Sequence, residues 1–273
     1  MFNKQMDASD WFLEITAWAD KNQLNTAQLP RDKNQLLTLT DLSLVDCLLS
    51  ELPDAIGCLP QLAQLNLNKN QLTTLPETIG QLSQLKVLSL VGNQLQTLPE
   101  AIGNLEQLEE LLLGKNRLES LPESLIQLKN LSVLSLWQNR FEKIPGVVGQ
   151  LQQLTELYFG WNQIKEIPEF IMGLMQLKEL SLGCNQLEKI PESIGRLENL
   201  VHLSLWQNRI SSLPDTIGQL SRLQELMLSD NQLQSLPLSL AKLTQLTAID
   251  LTGNPIKNLP VELESFQGIT DFS

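Results

Sequence analysis

The chain has 273 residues, a formal net charge of −12 and an isoelectric point near 4.6. That excess of acid repels phosphate backbones and anionic lipid, so nucleic acid and membrane are excluded as expected partners. No apolar run reaches the roughly 18 to 20 residues of a membrane span, the start from Met1 to Trp11 lacks the basic-then-apolar order of a secretory signal, and the scattered Cys47, Cys58 and Cys184 offer no disulfide framework. The expected location is the cytoplasm.

In chain order, Trp11, Phe12, Ile15 and Trp18 recur at helical spacing, with Ser9 or Asp10 placed to cap the helix start. Such a helix covers the exposed end of a core; docking of a partner by Trp11 and Trp18 is the alternative. Leu29 and Pro30 precede Leu52 and Pro53 by 23 residues, and Lys33 stands where later units place Ile or Val. Residues 1–38 therefore form an N-terminal helical cap with a degenerate half repeat.

Residues 39–268 hold ten copies of a 23-residue phrase, marked by Pro53, Pro76, Pro99, Pro122, Pro145, Pro168, Pro191, Pro214, Pro237 and Pro260. The phrase reads L-x-x-L-x-L-x-x-N-x-L-x-x-L-P-x-x-I-G-x-L-x-x, and self-similarity this strict predicts a solenoid without an internal domain boundary. Each L-x-L segment alternates apolar and polar residues, the pattern of a strand with one buried face. An asparagine recurs after it, from Asn70 to Asn254, and its amide can satisfy backbone groups where the strand turns away. Cys47 fills that slot in the first copy and reads as structural. Proline then fixes φ for a first helical position and an acid usually follows, as in Glu77 and Asp215, so short helical or 3₁₀ turns are expected on the convex side. The last copy departs from the pattern with Pro255 and Phe266, and residues 269–273 form a short C-terminal tail.

These residues resemble leucine-rich repeat proteins, and the 23-residue L-P-x-x-I-G form is similar to intracellular Ras-group scaffolds, their plant relatives and bacterial cytoplasmic repeat proteins. The resemblance implies an α/β right-handed solenoid, a horseshoe with a parallel concave sheet, acting as a signalling or scaffold module that binds a protein. It names no partner, because the shared residues are the buried ones.

Function must then lie in the positions that the repeats do not share. Stacking aligns the outward strand residues into columns, and Trp137, Tyr158, Trp161 and Trp206 gather there between the fifth and eighth coils. Large aromatics on a wet face have the composition of a binding hot spot. Trp137 and Trp206 lie three coils apart in one column, roughly 14 Å by strand spacing, with Gly160 and Gly183 between them. The expectation is a shallow slot, floored by glycine backbone and walled by indoles, that accepts an apolar or aromatic anchor; the competing reading is rings that pack on one another to cover the sheet. Glu110, Glu156, Glu179 and Glu225 line one edge of the sheet, with Arg117, Arg140 and Arg209 toward the other, as a polar rim. Phe141 and Phe159 occupy leucine slots and belong to the core.

Chemistry finds no foothold. His202 is the only histidine, five positions along the strand from Cys184, and three cysteines give no metal cluster. No phosphate-binding G-x-x-x-x-G-K-[S/T] occurs. The expectation is a non-catalytic protein-binding module without cofactor or metal. Two alternatives stay open: a carbohydrate binder that stacks sugars on the same aromatics, and the recognition part of an effector or ligase whose catalytic part is elsewhere.

Overall fold

The computed structural model describes residues 10–257 and 269–270. They fall into two compact units, divided in sequence between Leu131 and Ser132. The amino-terminal unit carries helices α1 (Asp10–Lys21) and α2 (Lys33–Leu37) and strands β1 (Asp41–Ser43), β2 (Gln64–Asn66), β3 (Val87–Ser89) and β4 (Glu110–Leu112). The carboxy-terminal unit carries β5 (Val133–Ser135), β6 (Glu156–Tyr158), β7 (Glu179–Ser181), β8 (His202–Ser204), β9 (Glu225–Met227), β10 (Ala248–Asp250) and β11 (Ile269–Thr270).

Within each unit the strands are parallel and neighbours in sequence are neighbours in the sheet. Pairing joins equivalent positions of successive phrases: Glu156 lies opposite Glu179, Glu179 opposite His202, and His202 opposite Glu225. The chain must travel one full coil to return beside itself, which is why a period in sequence becomes a column in space. Ile269 and Thr270, in the segment expected to be a tail, pair with Ile249 and Asp250 as a last short strand. Pro260 and Phe266 lie outside the described residues.

The apolar positions of the phrase close the core between the sheet and the opposite wall. In one coil Leu203, Leu205, Ile210, Ile217, Leu220 and Leu223 are each at most 1% exposed, and each such side chain contributes about 1.5 to 3 kcal/mol by leaving water. Phe141 and Phe159 are fully buried and meet edge to face, ring centroids 5.3 Å apart.

The opposite wall is built of five-residue 3₁₀ turns, from Asp54–Cys58 to Leu238–Lys242. The proline expected at the first helical position instead precedes the turn. Pro214 has φ −72° and ψ 149°, an extended conformation, and its carbonyl accepts from Ile217 N at 3.0 Å. The ring's fixed φ suits extended backbone as well as helix, and the missing N–H leaves no donor to satisfy. Coils approach closely at the glycine of this turn: a Cβ on Gly103 would stand 2.7 Å from Ser124 Cβ.

Between strand and turn, the asparagines form a ladder. Asn185 Oδ1 accepts from Ile164 N of the preceding coil at 2.9 Å, while its Nδ2 donates to Phe159 O at 2.9 Å and Leu182 O at 3.0 Å. Leu182 O also accepts from Asn208 Nδ2 at 3.0 Å, and Phe159 O from Asn162 Nδ2 at 3.0 Å. Each such carbonyl thus serves two successive amides, and within each unit the ladder is continuous. In the first copy Cys47 Sγ cannot take this role; Cys47 N donates instead to Asn70 Oδ1 of the next coil, and Gln28 Nε2 reaches the sulfur at 3.3 Å. Burial pushes its thiol above the ordinary range, which fits a structural cysteine.

The lidding role expected of the first helix is the one found. Trp11, Ile15 and Trp18 are buried, Trp18 Nε1 donates to Glu51 O at 3.2 Å, and Lys21 pairs with Glu51 at 2.9 Å. The cap residue expected at Ser9 lies outside the described residues. A short helix, α2, replaces the degenerate half repeat's turn: Asp32 accepts from Gln35 N at its start, and Lys33 lies 5.7 Å from the Trp11 ring centroid.

Candidate aromatic site on the sheet face

The residue before each ladder asparagine turns the chain out of the strand in a left-handed conformation. Asp46, Lys69, Lys115, Gln138, Cys184, Gln207 and Asp230 all have φ between 50° and 58°, and Gly92 and Gly253 hold the same slot. Trp161 does so at φ 59°, a conformation that costs a bulky residue roughly 1 to 2 kcal/mol. The two glycines in this column were the sequence signal for that turn. Its effect is to lift the Trp161 ring clear of the sheet, leaving it 51% exposed.

Trp161 meets Trp206 edge to face, centroids 5.7 Å apart and planes at 76°. Trp206 in turn lies across Gly183, so closely that a Cβ there would stand 2.6 Å from Trp206 Cδ1. Gly160 faces the backbone of Gly183, whose carbonyl would be 3.2 Å from an added Cβ. Trp137, Tyr158, Trp161 and Trp206 then surround a cavity of about 200 Å³ with Gly160, Gly183 and Ser181 at its base. The slot therefore differs from the one expected. Its walls do not stand a full three coils apart over two bare glycines, because Trp206 leans onto one of them; Trp161 supplies a wall that the column pattern placed only beside the slot.

This arrangement has a direct consequence. Gly183→Ala is expected to expel the Trp206 ring from its seat and uncouple it from Trp161, changing the near-ultraviolet circular dichroism while leaving the far-ultraviolet spectrum intact. An unaltered near-ultraviolet spectrum would contradict the placement of the ring.

A second cavity of about 370 Å³ adjoins the first through Ser181 and is lined by Glu179, His202, Ser204, Glu225 and Met227. His202 Nδ1 stands 3.2 Å from Glu225 Oε2. Tyr158 O–H donates to Glu156 Oε2 at 2.7 Å, and burial, reinforced by the hydrogen bonds and charges of Glu156 and Glu179, pushes the phenol well above its ordinary range. Of the acids and bases expected to rim the site, Glu179 and Glu225 line the second cavity, and Glu156 lines neither but holds Tyr158 of the first. Arg140 and Arg209 are exposed after the strands and line neither cavity, while Glu110 and Arg117 belong to the amino-terminal unit.

The residues suited to chemistry are tied up elsewhere. Cys184 Sγ donates to Gln207 Oε1 at 2.9 Å, and burial, with the nearby Asp230 charge, pushes its thiol up to about 11; it is protonated at neutral pH and a poor nucleophile. Among the described residues no cluster of three or more His, Cys, Asp or Glu side chains is placed to hold a metal, and no helix is long and apolar enough to cross a membrane.

One parallel strand, one ladder asparagine and one 3₁₀ turn per coil define a leucine-rich repeat solenoid. Family models agree: a leucine-rich repeat region matches residues 13–116, and a leucine rich repeat matches residues 106–164, 129–187 and 198–256. The chain belongs to the leucine-rich repeat family. It is similar to a leucine-rich repeat protein of Leptospira interrogans, at 34% identity over 87% of this chain and 73% of that one, with a TM-score of 0.65. The functional domain of InlJ from Listeria monocytogenes is 27% identical over 92% of this chain and 53% of that one, with a TM-score of 0.76. The ectodomain of the receptor kinase GASSHO1/SCHENGEN3 from Arabidopsis thaliana, solved in complex with CASPARIAN STRIP INTEGRITY FACTOR 2, is 34% identical over 80% of this chain and 30% of that one, with a TM-score of 0.61. No curated protein matches the chain.

Proposed function

We propose that the chain is a non-catalytic binding module that recognises a protein through the sheet face of its carboxy-terminal unit. The observation that carries this reading is the convergence of Trp137, Tyr158, Trp161 and Trp206 on one open cavity. Indole and phenol rings bury much area for little lost rotamer freedom, so four of them together supply the anchor of an interface, and the half-buried acids beside them supply its rim. Trp161 stays 51% exposed, which favours binding over mere covering of the surface. The Arabidopsis receptor solved with its factor supports the same use of the fold. The cytoplasm suits the module, because Cys47, Cys58 and Cys184 are all free thiols.

A sugar ring stacks on the same aromatics, so the test sets the two occupants against each other. Immobilised chain is expected to capture a protein from lysate saturably and to pass through polysaccharide resins unretarded. Retention on such resins, released by soluble sugar, with no saturable protein capture, would transfer the site to carbohydrate.

A further inference from the structure

We infer that the two adjoining cavities form one site for a cationic side chain, an arginine or lysine presented on an extended segment of the protein partner. The inference rests on the protein-binding reading above and adds the chemistry of what is bound.

Its first support is the sorting of charge. The outward positions of β5 to β10, with the two residues that follow in each coil's outward columns, carry Glu156, Glu179, Glu225, Asp230 and Asp250 but no lysine or arginine; His202 is their one basic side chain. The equivalent positions of the amino-terminal unit include Lys69 and Lys115, so the repeat itself does not forbid a base there. Register then concentrates the acids: Glu156, Glu179, His202 and Glu225 are successive neighbours across β6 to β9, about 4.8 Å apart. His202 already faces Glu225 and Glu156 accepts from Tyr158, so Glu179, which lines the second cavity, is the carboxylate that meets an incoming charge, with Glu156 next to it across the strand pair.

The second support is that the aromatic and acidic groups line neighbouring recesses. The cavities meet at Ser181. A purely apolar anchor in the aromatic part would strip water from neighbouring carboxylates and return nothing to them. A cation satisfies both parts, because the ring faces attract positive charge and the carboxylates accept charge-assisted hydrogen bonds. The aromatic part alone, about 200 Å³, has room for roughly six waters at about 30 Å³ each, enough for a planar guanidinium or an ammonium with its last methylenes. Trp161 and Trp206, set at 76°, present a face and an edge, so a cation seats on the one exposed face while its stem runs along the sheet.

The test is selection of a random dodecapeptide phage library on the intact chain, followed by calorimetry with the selected peptides. The expected result is a shared arginine or lysine whose replacement by norleucine weakens binding at least about tenfold, as does raising the salt concentration. The Glu156→Gln, Glu179→Gln double variant, its fold checked by far-ultraviolet circular dichroism, is expected to lose the same factor for the basic peptide and nothing for its norleucine form. Selected peptides without a shared basic residue, or indifferent to its replacement, would overturn the cation site while the protein-binding reading stands. Selection of no peptide would overturn it too; if polysaccharide resin then retains the chain, the protein-binding reading falls with it.

Discussion

Asn185→Ala is expected to lower the stability of the carboxy-terminal unit by about 2 to 4 kcal/mol. The size follows from which groups are left behind. Ile164 N loses its only hydrogen bond to the ladder and becomes a buried unpaired donor, at about 1 to 3 kcal/mol. Phe159 O and Leu182 O each lose one of two donors but keep Asn162 and Asn208 respectively, a smaller loss. Asn185→Asp sharpens the test, because an ionised oxygen would then face two carbonyl oxygens where an amide now donates to both. That variant is expected to be less stable than Asn185→Ala at neutral pH. A carboxyl buried there has a folded-state pKa above its unfolded value of about 4. Its penalty is therefore absent below about pH 4, grows as pH rises toward the folded-state pKa, and is complete above it. Denaturant melts of both variants against the parent at several pH values measure this; an Asp variant as stable as the Ala variant at pH 7 would contradict the donor role of the amide.

Phe159→Ala is expected to cost about 3 to 5 kcal/mol, since the ring is fully buried and its removal leaves a cavity the coil cannot fill. Phe159→Leu restores the side chain that most copies carry at this slot, such as Leu182 and Leu205, and is expected to cost less than half as much. Because Phe141 meets Phe159 edge to face at 5.3 Å, a double-mutant cycle with Phe141→Leu is expected to give a coupling of about 0.5 to 1.5 kcal/mol. A coupling of zero would mean the two rings fill space independently. The site is involved as well: Phe159 is the buried residue directly before Gly160 and Trp161, so the truncation is expected to loosen the aromatic cavity as it destabilises the coil.

The fold was legible because its determinants repeat. Ten prolines at one interval and nine ladder asparagines locate the strand and turn of each copy before any coordinate is known, and the parallel register converts position in the phrase into position on the sheet. The same arithmetic found the aromatic columns and separated Phe141 and Phe159, which are buried, from Trp137, Tyr158 and Trp206, which are half-exposed.

What the period does not encode is how a side chain leans. Trp206 lies over Gly183 because the preceding coil leaves an empty Cβ position beneath it, a relation between coils rather than within one. The pairing of Tyr158 with Glu156 depends on a rotamer, since both side chains leave the same face of β6 two residues apart. Proline's place before the 3₁₀ turn depends on ψ, which the ring does not fix as it fixes φ. The left-handed residue before each asparagine is signalled in the sequence only by Gly92 and Gly253, because lysine, glutamine and tryptophan in the same column mask it.

A partner recognised through the aromatic cavity of the carboxy-terminal unit draws its affinity from the rings around that cavity. The measurement that tests this most directly is calorimetric affinity for the captured protein partner, comparing the parent with the Trp137→Ala, Trp161→Ala, Trp206→Ala variant and with a control altered at outward positions of the amino-terminal unit, Val91→Ala and Leu112→Ala. Removal of three anchoring rings is expected to weaken binding by at least about a hundredfold, since hot-spot residues cost about 2 kcal/mol or more each, with the control within about threefold of the parent. Equal affinity of the parent and the triple variant would contradict the account.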